Sequence, residues 1–233
     1  MRNSSLILIL FSSVLVAQPS FTAADIATSA DGAKGAIAAD MDNDGDMDIV
    51  SVSFNDQTIA WYENNGAANP SWTATNISTS AGGVTSIFVE DMDGDGDLDI
   101  VSSASDNNDG ITWYENDGAA DPSFTASDIG NSNLYTLSVF AADMDNDGDM
   151  DIVSASYNDD KIAWFENDGA ADPSFTAANI ATSADGAYEV FVADMDNDGD
   201  MDIVSASGLD DAIAWYENDG NADPSWSAAD IAT

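Results

Sequence analysis

Residues 40–51 read DMDNDGDMDIVS, and this stretch decides the architecture. Asp40, Asp42 and Asp44 alternate, Gly45 follows, and Asp48 closes the set before the apolar pair Ile49-Val50. Alternation in a curled loop lets three carboxylates converge on one point, and the glycine permits the sharp turn. Asp46, at position seven, then offers its main-chain oxygen, and Asp48, at position nine, offers both carboxylate oxygens. The resulting shell is hard and all-oxygen, which suits Ca2+; Mg2+ demands a smaller octahedron. Five carboxylates within nine residues repel one another strongly unless a cation joins them.

The stretch recurs. Asp91 to Ser102 reads DMDGDGDLDIVS, and Asp143 to Ser154 and Asp194 to Ser205 repeat the first copy unchanged. The period is about 51 residues, the range of a propeller blade or solenoid unit. A second element follows each loop and carries a tryptophan: Trp61, Trp113, Trp164 and Trp215, with Tyr62, Tyr114, Phe165 and Tyr216 beside them. Neighbours in a strand face opposite ways, so each such strand presents an aromatic on both faces. The strands end in Asn65-Gly66, Asp117-Gly118, Asp168-Gly169 and Asp219-Gly220, which are tight-turn dipeptides. A third element, Pro-Ser-aromatic running on to an Ile, occurs five times, at Pro19, Pro70, Pro122, Pro173 and Pro224. Short apolar runs precede each loop, and Ile49 to Phe54 alternates as a half-buried strand does. Four short antiparallel strands per unit make an all-β chain: a β-propeller-type array of four four-stranded antiparallel blades.

Composition narrows the function. The chain has 44 acids against 3 bases and no His, a formal charge of −41. That charge excludes nucleic acid and anionic membrane surfaces as partners and favours cations. Without Cys there is no disulfide framework, and without His there is no catalytic triad or His-ligated zinc. Met1-Arg2 followed by the apolar run Leu6 to Val16 reads as a signal peptide over residues 1–17. The blades then occupy 18–233, with no membrane insertion after cleavage and a secreted or cell-surface location, where calcium is plentiful.

Helical calcium hands share the first six loop positions but need Glu at position twelve and flanking helices. Position twelve here is Ser51, Ser102, Ser154 or Ser205, and the flanks are strands. An aspartyl phosphotransferase loop also begins with alternating aspartates, but it needs one such loop on a parallel α/β sheet. A ligand set ending at position nine inside a four-stranded unit resembles the FG-GAP/VCBS repeats of integrin-type and bacterial secreted β-propellers. By that resemblance the side-chain ligands fall on Asp40, Asp42, Asp44 and Asp48, and recur as Asp91, Asp93, Asp95 and Asp99. They recur again as Asp143, Asp145, Asp147 and Asp151, and as Asp194, Asp196, Asp198 and Asp202. The carbonyl position falls on Asp46, Asp97, Asp149 and Asp200. About four Ca2+ per chain are implied, with a structural task. Gly94 replaces Asn43 in the second loop, at a position outside the ligand set. The Phe-Gly…Gly-Ala-Pro wording is absent as such, so the VCBS-like branch fits better.

The tryptophans are expected to pack blade on blade rather than to form a ligand platform. Glu63, Glu115, Glu166 and Glu217 recur identically, which points to a blade-end role. Glu90, Tyr135, Tyr157 and Glu189 are non-repeated positions that the sequence does not group. Five outer-strand motifs against four loops leave one strand over, so the array is a partial, open propeller or a four-bladed ring with an overhang, and exposed blade edges invite association. The expected function is a non-enzymatic, calcium-stabilised adhesion or binding module for a glycan or extracellular protein. The alternative is an accessory or catalytic domain of an extracellular polysaccharide-degrading enzyme. A non-repeated cluster of acid, base and aromatic in one cleft would favour the enzyme, and pseudo-symmetric pockets between blades would favour a lectin-like binder.

Overall fold

A computed structural model describes residues 23–105, 110–130 and 134–232. The expected signal peptide and Pro19 lie outside these residues. The described chain contains sixteen strands in four antiparallel sheets, each a simple meander. The first blade is β1 (Ala33–Ala39), β2 (Asp48–Ser53), β3 (Thr58–Asn64) and β4 (Trp72–Ser78). The second is β5 (Val84–Glu90), β6 (Asp99–Ala104), β7 (Ile111–Asn116) and β8 (Phe124–Gly130). The third is β9 (Thr136–Ala142), β10 (Asp151–Ser156), β11 (Lys161–Asn167) and β12 (Phe175–Ala181). The fourth is β13 (Ala187–Ala193), β14 (Asp202–Ser207), β15 (Ala212–Asn218) and β16 (Trp226–Ala232). Each aspartate loop joins the first two strands of its blade, closing on pairs such as Ala39 with Asp48.

Register gives every blade two unlike faces. Val50 pairs with Trp61 and Val52 with Ile59 on the forward face, while Ile49 pairs with Tyr62 on the rear face. The forward face of one blade then packs on the rear face of the next. Trp61, Met41 and Ile59 share a core with Ile87, Ile100 and Tyr114. Trp113, Met92 and Ile111 do the same with Val139, Ile152 and Phe165. Trp164, Met144 and Ile162 meet Val190, Ile203 and Tyr216. Trp61, Trp113 and Trp164 thus serve as blade-to-blade packing, as expected. The outer-strand aromatics Phe124, Phe175 and Trp226 pack back against the same three cores.

Three cores for four blades make an open arc, because none among the described residues joins the fourth blade to the first. The surplus outer-strand motif also finds its answer. Trp226–Ala232 completes the fourth blade, whereas Ala23 to Ile26, the described end of the first such motif, forms no strand. The fourth tryptophan is therefore unlike the others: Trp61 and Trp113 are 1% exposed, and Trp215 is only half-buried.

This asymmetry is measurable. Trp113→Ala should cost about 3–5 kcal/mol, the range for emptying a buried aromatic site. Trp215→Ala in the dilute protein should cost about 1 kcal/mol or less, because little leaves a packed core. Urea unfolding of both variants at fixed calcium reads the difference; equal losses would mean that the arc is closed.

Candidate metal centres and an axial cleft

Each aspartate loop is a nest built by its own carboxylates. Asp40 accepts from the N–H of Asp44 at 3.1 Å through Oδ1 and from that of Gly45 at 3.0 Å through Oδ2. Asp42 also accepts from the Asp44 N–H, at 3.2 Å, and Asp44 from that of Asp46, at 2.9 Å. The curl needs left-handed backbone at Asn43 (φ 57°) and Gly45 (φ 95°). Asparagine tolerates that region and glycine enters it freely, which is why these types stand there. The other loops repeat the pattern, with Asp95 and Gly96 bonded to Asp91, Asp147 and Gly148 to Asp143, and Asp198 and Gly199 to Asp194.

The arrangement gathers oxygen donors. Carboxylate oxygens lie within 4.8 Å of one another for Asp40, Asp42 and Asp48 in the first loop. In the others the grouped residues are Asp91, Asp93 and Asp95; Asp143, Asp145 and Asp147; and Asp194, Asp196 and Asp198. Asp42, Asp93, Asp145 and Asp196 all have their pKa raised, first by desolvation and then by neighbouring carboxylates, against loop N–H groups that lower it. Glu115 adds to the repulsion on Asp93, which places one of the repeated glutamates near its loop. Among the described residues no base relieves the loops; the ion pair of Lys161 with Asp159, at 3.0 Å, lies elsewhere. A divalent cation with oxygen preference fits this donor set.

Position nine does more than the sequence suggests. Asp48, Asp99, Asp151 and Asp202 are each at most 1% exposed. Asp48 accepts from the Asn64 N–H at 2.7 Å, the Trp61 indole N–H at 2.9 Å and the Met41 N–H at 3.2 Å. Asp99 has the equivalent partners Asn116, Trp113 and Met92. One carboxylate thus ties the loop to the second and third strands. In the last two blades the N–H groups of Asn167 and Met144, or of Asn218 and Met195, are retained, while the indole N–H of Trp164 or Trp215 is buried without an acceptor in hydrogen-bonding geometry. Burial pushes Asp99 and Asp151 up to about 7, against these donors. Oδ1 of Asp48 and of Asp99 accepts one of these bonds and keeps a further lone pair, so the bonds are compatible with a cation at that oxygen.

The position-seven carboxylates point away from the loop, against the turn glycines. A Cβ on Gly66 would sit 2.0 Å from an Asp46 oxygen, and Gly118, Gly169 and Gly220 are approached likewise by Asp97, Asp149 and Asp200. This leaves the main-chain role expected of position seven available. Asp97 also accepts from Asn43 of the preceding loop at 2.7 Å, and Asp200 from Asn146 at 2.8 Å. Gly94 cannot make this tie. Asn43 and Gly94 share the left-handed backbone, as expected of a tolerant position, yet the asparagine amide has a bridging task that the sequence does not reveal. A second tie was equally unforeseen. Asn116, Asn167 and Asn218 donate to the carbonyls of Met41, Met92 and Met144 on the preceding blade at 2.7–3.0 Å. The signal for it was the Asn recurring after each Trp strand.

At the other end of the inner strands lies a cleft of about 550 Å3. A seven-residue strand is about 20 Å long, so the cleft stands well away from the aspartate loops. All four blades line it: Lys34 and Phe54, Thr85, Tyr135 and Tyr157, and Tyr188 and Glu189. Tyr135 and Tyr157 have ring centroids 6.1 Å apart, and the Lys34 ammonium sits 5.4 Å from the Phe54 ring centre. The structure thus brings together Tyr135, Tyr157 and Glu189, which the sequence left scattered, and leaves Glu90 outside the cleft.

Replacing Asp99 by Ala should leave three buried donors unpaired, costing about 3 kcal/mol or more. Asp95→Asn, confined to the exposed rim of the same loop, should alter cation response with less than about 1 kcal/mol lost in metal-free protein. Chemical denaturation with and without chelator separates the two.

Solved structures of this fold are known. A lectin of Agrocybe aegerita, described as recognising non-reducing terminal N-acetylglucosamine, is 22% identical with a TM-score of 0.55, over 83% of this chain and 50% of that one. The chain therefore spans about half the length of that lectin. The V. cholerae biofilm matrix protein Bap1 is 21% identical with a TM-score of 0.49, over 83% and 28%. At such identity the likeness concerns the fold. No curated protein matches in sequence. The FG-GAP-like repeat, however, matches residues 40–102, 91–154 and 143–205, each span running from the first aspartate of one loop to the serine that ends the next. These spans cover well over half of the chain, and the chain belongs to the FG-GAP-like repeat family.

Proposed function

We propose that the chain is a secreted, calcium-stabilised binding or adhesion module whose ligand, a glycan or an extracellular protein, enters the axial cleft. The carrying observation is that cleft. The repeats are nearly identical at their loops and Trp strands, yet they differ where they line it, with Lys34, Tyr135, Tyr188 and Glu189 as unlike residues on one frame. Exposed aromatics stack on sugar faces or peptide side chains, and one cation and one acid orient polar groups. The volume lies in the ordinary range for a small ligand.

Calcium takes the structural part in this reading. The twenty aspartates Asp40 to Asp48, Asp91 to Asp99, Asp143 to Asp151 and Asp194 to Asp202, at alternate positions, hold about four ions at the loop end, remote from the ligand. Chelation then acts on binding through the fold and not through a lost contact. The secreted location is supported by the leading apolar run and the demand for calcium. No described helix is long and apolar enough to cross a membrane.

The second reading is an extracellular polysaccharide hydrolase or lyase, favoured by an acid and a base, Glu189 and Lys34, in the same cleft as aromatics. Binding is preferred because Glu189 is the only carboxylate among the described residues that line it, and it is exposed. Paired-carboxylate hydrolysis needs two.

Calorimetry should count roughly four Ca2+ per chain, and no uptake at millimolar calcium would sink the metal assignment. A glycan array, run with and without EDTA, should return a calcium-dependent ligand. The Tyr157→Ala, Tyr188→Ala double variant should weaken it about tenfold or more while keeping the calcium count. Silence across a broad array would turn attention to protein ligands, and release of shortened oligosaccharides would establish the enzyme instead.

A further inference from the structure

The two ends of the arc are the two halves of an interface that the chain already forms three times. On the fourth blade the forward face is uncovered. Met195 is 48% exposed where Met41, Met92 and Met144 are at most 1%, and Ile213 is 38% exposed where Ile59, Ile111 and Ile162 are fully buried. Phe191 stands 56% exposed beside half-buried Val204 and Trp215. On the first blade the rear face is uncovered toward its cleft end, while Tyr62 is only 8% exposed. Ala33 and Ala36 are exposed where their counterparts Val84 and Ile87, or Ala187 and Val190, are buried. Together with Ala30, Ile49 and Tyr62 they line an apolar hollow.

The polar ties are split in the same way. In each internal interface an asparagine at the end of the third strand donates to the methionine carbonyl of the blade before. Among the described residues no preceding blade meets Asn64 and no following blade meets the Met195 carbonyl. Asn43 and Asn146 donate to Asp97 and Asp200 of the loop that follows. Among the described residues no loop meets Asn197 or Asp46 in this way. Four features therefore match across the two ends: Trp215 against Ile49 and Tyr62, Ile213 against the alanine hollow, Asn64 against the Met195 carbonyl, and Asn197 against Asp46.

We infer that the forward face of the fourth blade binds the rear face of the first blade in a second copy of this chain, head to tail. The occupant is another copy because the contact continues an interface whose chemistry, register and hydrogen bonds recur within the chain itself. A head-to-tail contact either closes into a ring or extends. Each copy carries a formal charge of −41. Association therefore requires calcium in the facing loops or high salt, and it disappears when both are withdrawn.

Sedimentation of the calcium-loaded chain over about a hundredfold concentration range should show association. Trp215→Asp and Ile49→Asp should each raise the midpoint concentration about tenfold or more. Mixed in equal amounts they should form a dimer and nothing larger, because one pair of intact faces remains; that complex also shows both variants to be folded. Asn197→Asp, which sets a carboxylate against Asp46 of the neighbouring copy, should weaken association without lowering the stability of the dilute chain. A chain that stays monomeric throughout, or variants that associate undiminished, would overturn the inference. So would a mixture that fails to pair, since the contact would then be face to face with itself or the hollow filled by the chain's own leading residues.

Discussion

A carboxylate taken out of water must be met by donors on every side, and that demand organises each blade. Asp48 and its equivalents stand at the junction of the aspartate loop, the second strand and the tryptophan strand. Holding the buried charge fixes the loop's exit, the register of the second and third strands and, in the first two blades, the orientation of the indole that becomes the core of the next interface. Desolvation and charge work against each other here. At Asp99 and Asp151 burial favours the neutral acid, the N–H donors favour the carboxylate, and a cation in the adjoining nest would strengthen the second preference. The loop is thus joined to blade packing through a single side chain.

Much of this was legible because the sequence says it four times. The alternating aspartates, the serine at position twelve, the Trp-aromatic pair and the Asn-Gly or Asp-Gly turns gave strand–loop–strand blades and an all-oxygen nest. The tryptophans were read as packing, and the structure sets three of them in interfaces. The surplus outer strand cast doubt on closure, and the arc is open. Position nine shows where such reading stops. Its aspartate looks like one more ligand, yet its burial depends on Trp61 and Asn64, whose contact with it exists only once the third strand has folded beside the second. Asn116 and Asn43 were missed for a similar reason: their partners lie on another blade, and local propensity says nothing about them.

The cleft was illegible for the opposite reason. Repetition is the strongest signal in this chain, and Lys34, Phe54, Tyr135, Tyr157, Tyr188 and Glu189 are the residues that do not repeat. Only the arc, by turning four unlike inner strands toward one axis, makes them neighbours. A chain of this kind divides its positions in two. Those that repeat maintain the blade and its joints, while those that differ surround the axis and are free to acquire specificity.

Gly94 makes the three joints mechanically unequal. Between the first and second blades, and between the third and fourth, an asparagine crosses from loop to loop; between the second and third the glycine leaves that strut out. The middle joint keeps its Asn167 tie and gains one at the cleft end, where Thr85 donates to the Thr136 carbonyl at 2.9 Å. Its fastening has therefore shifted along the strand, away from the loops and toward the axis. At the midpoint of the arc no loop-to-loop strut resists separation of the rims, while the Thr85 bond holds the two blades together beside the cleft.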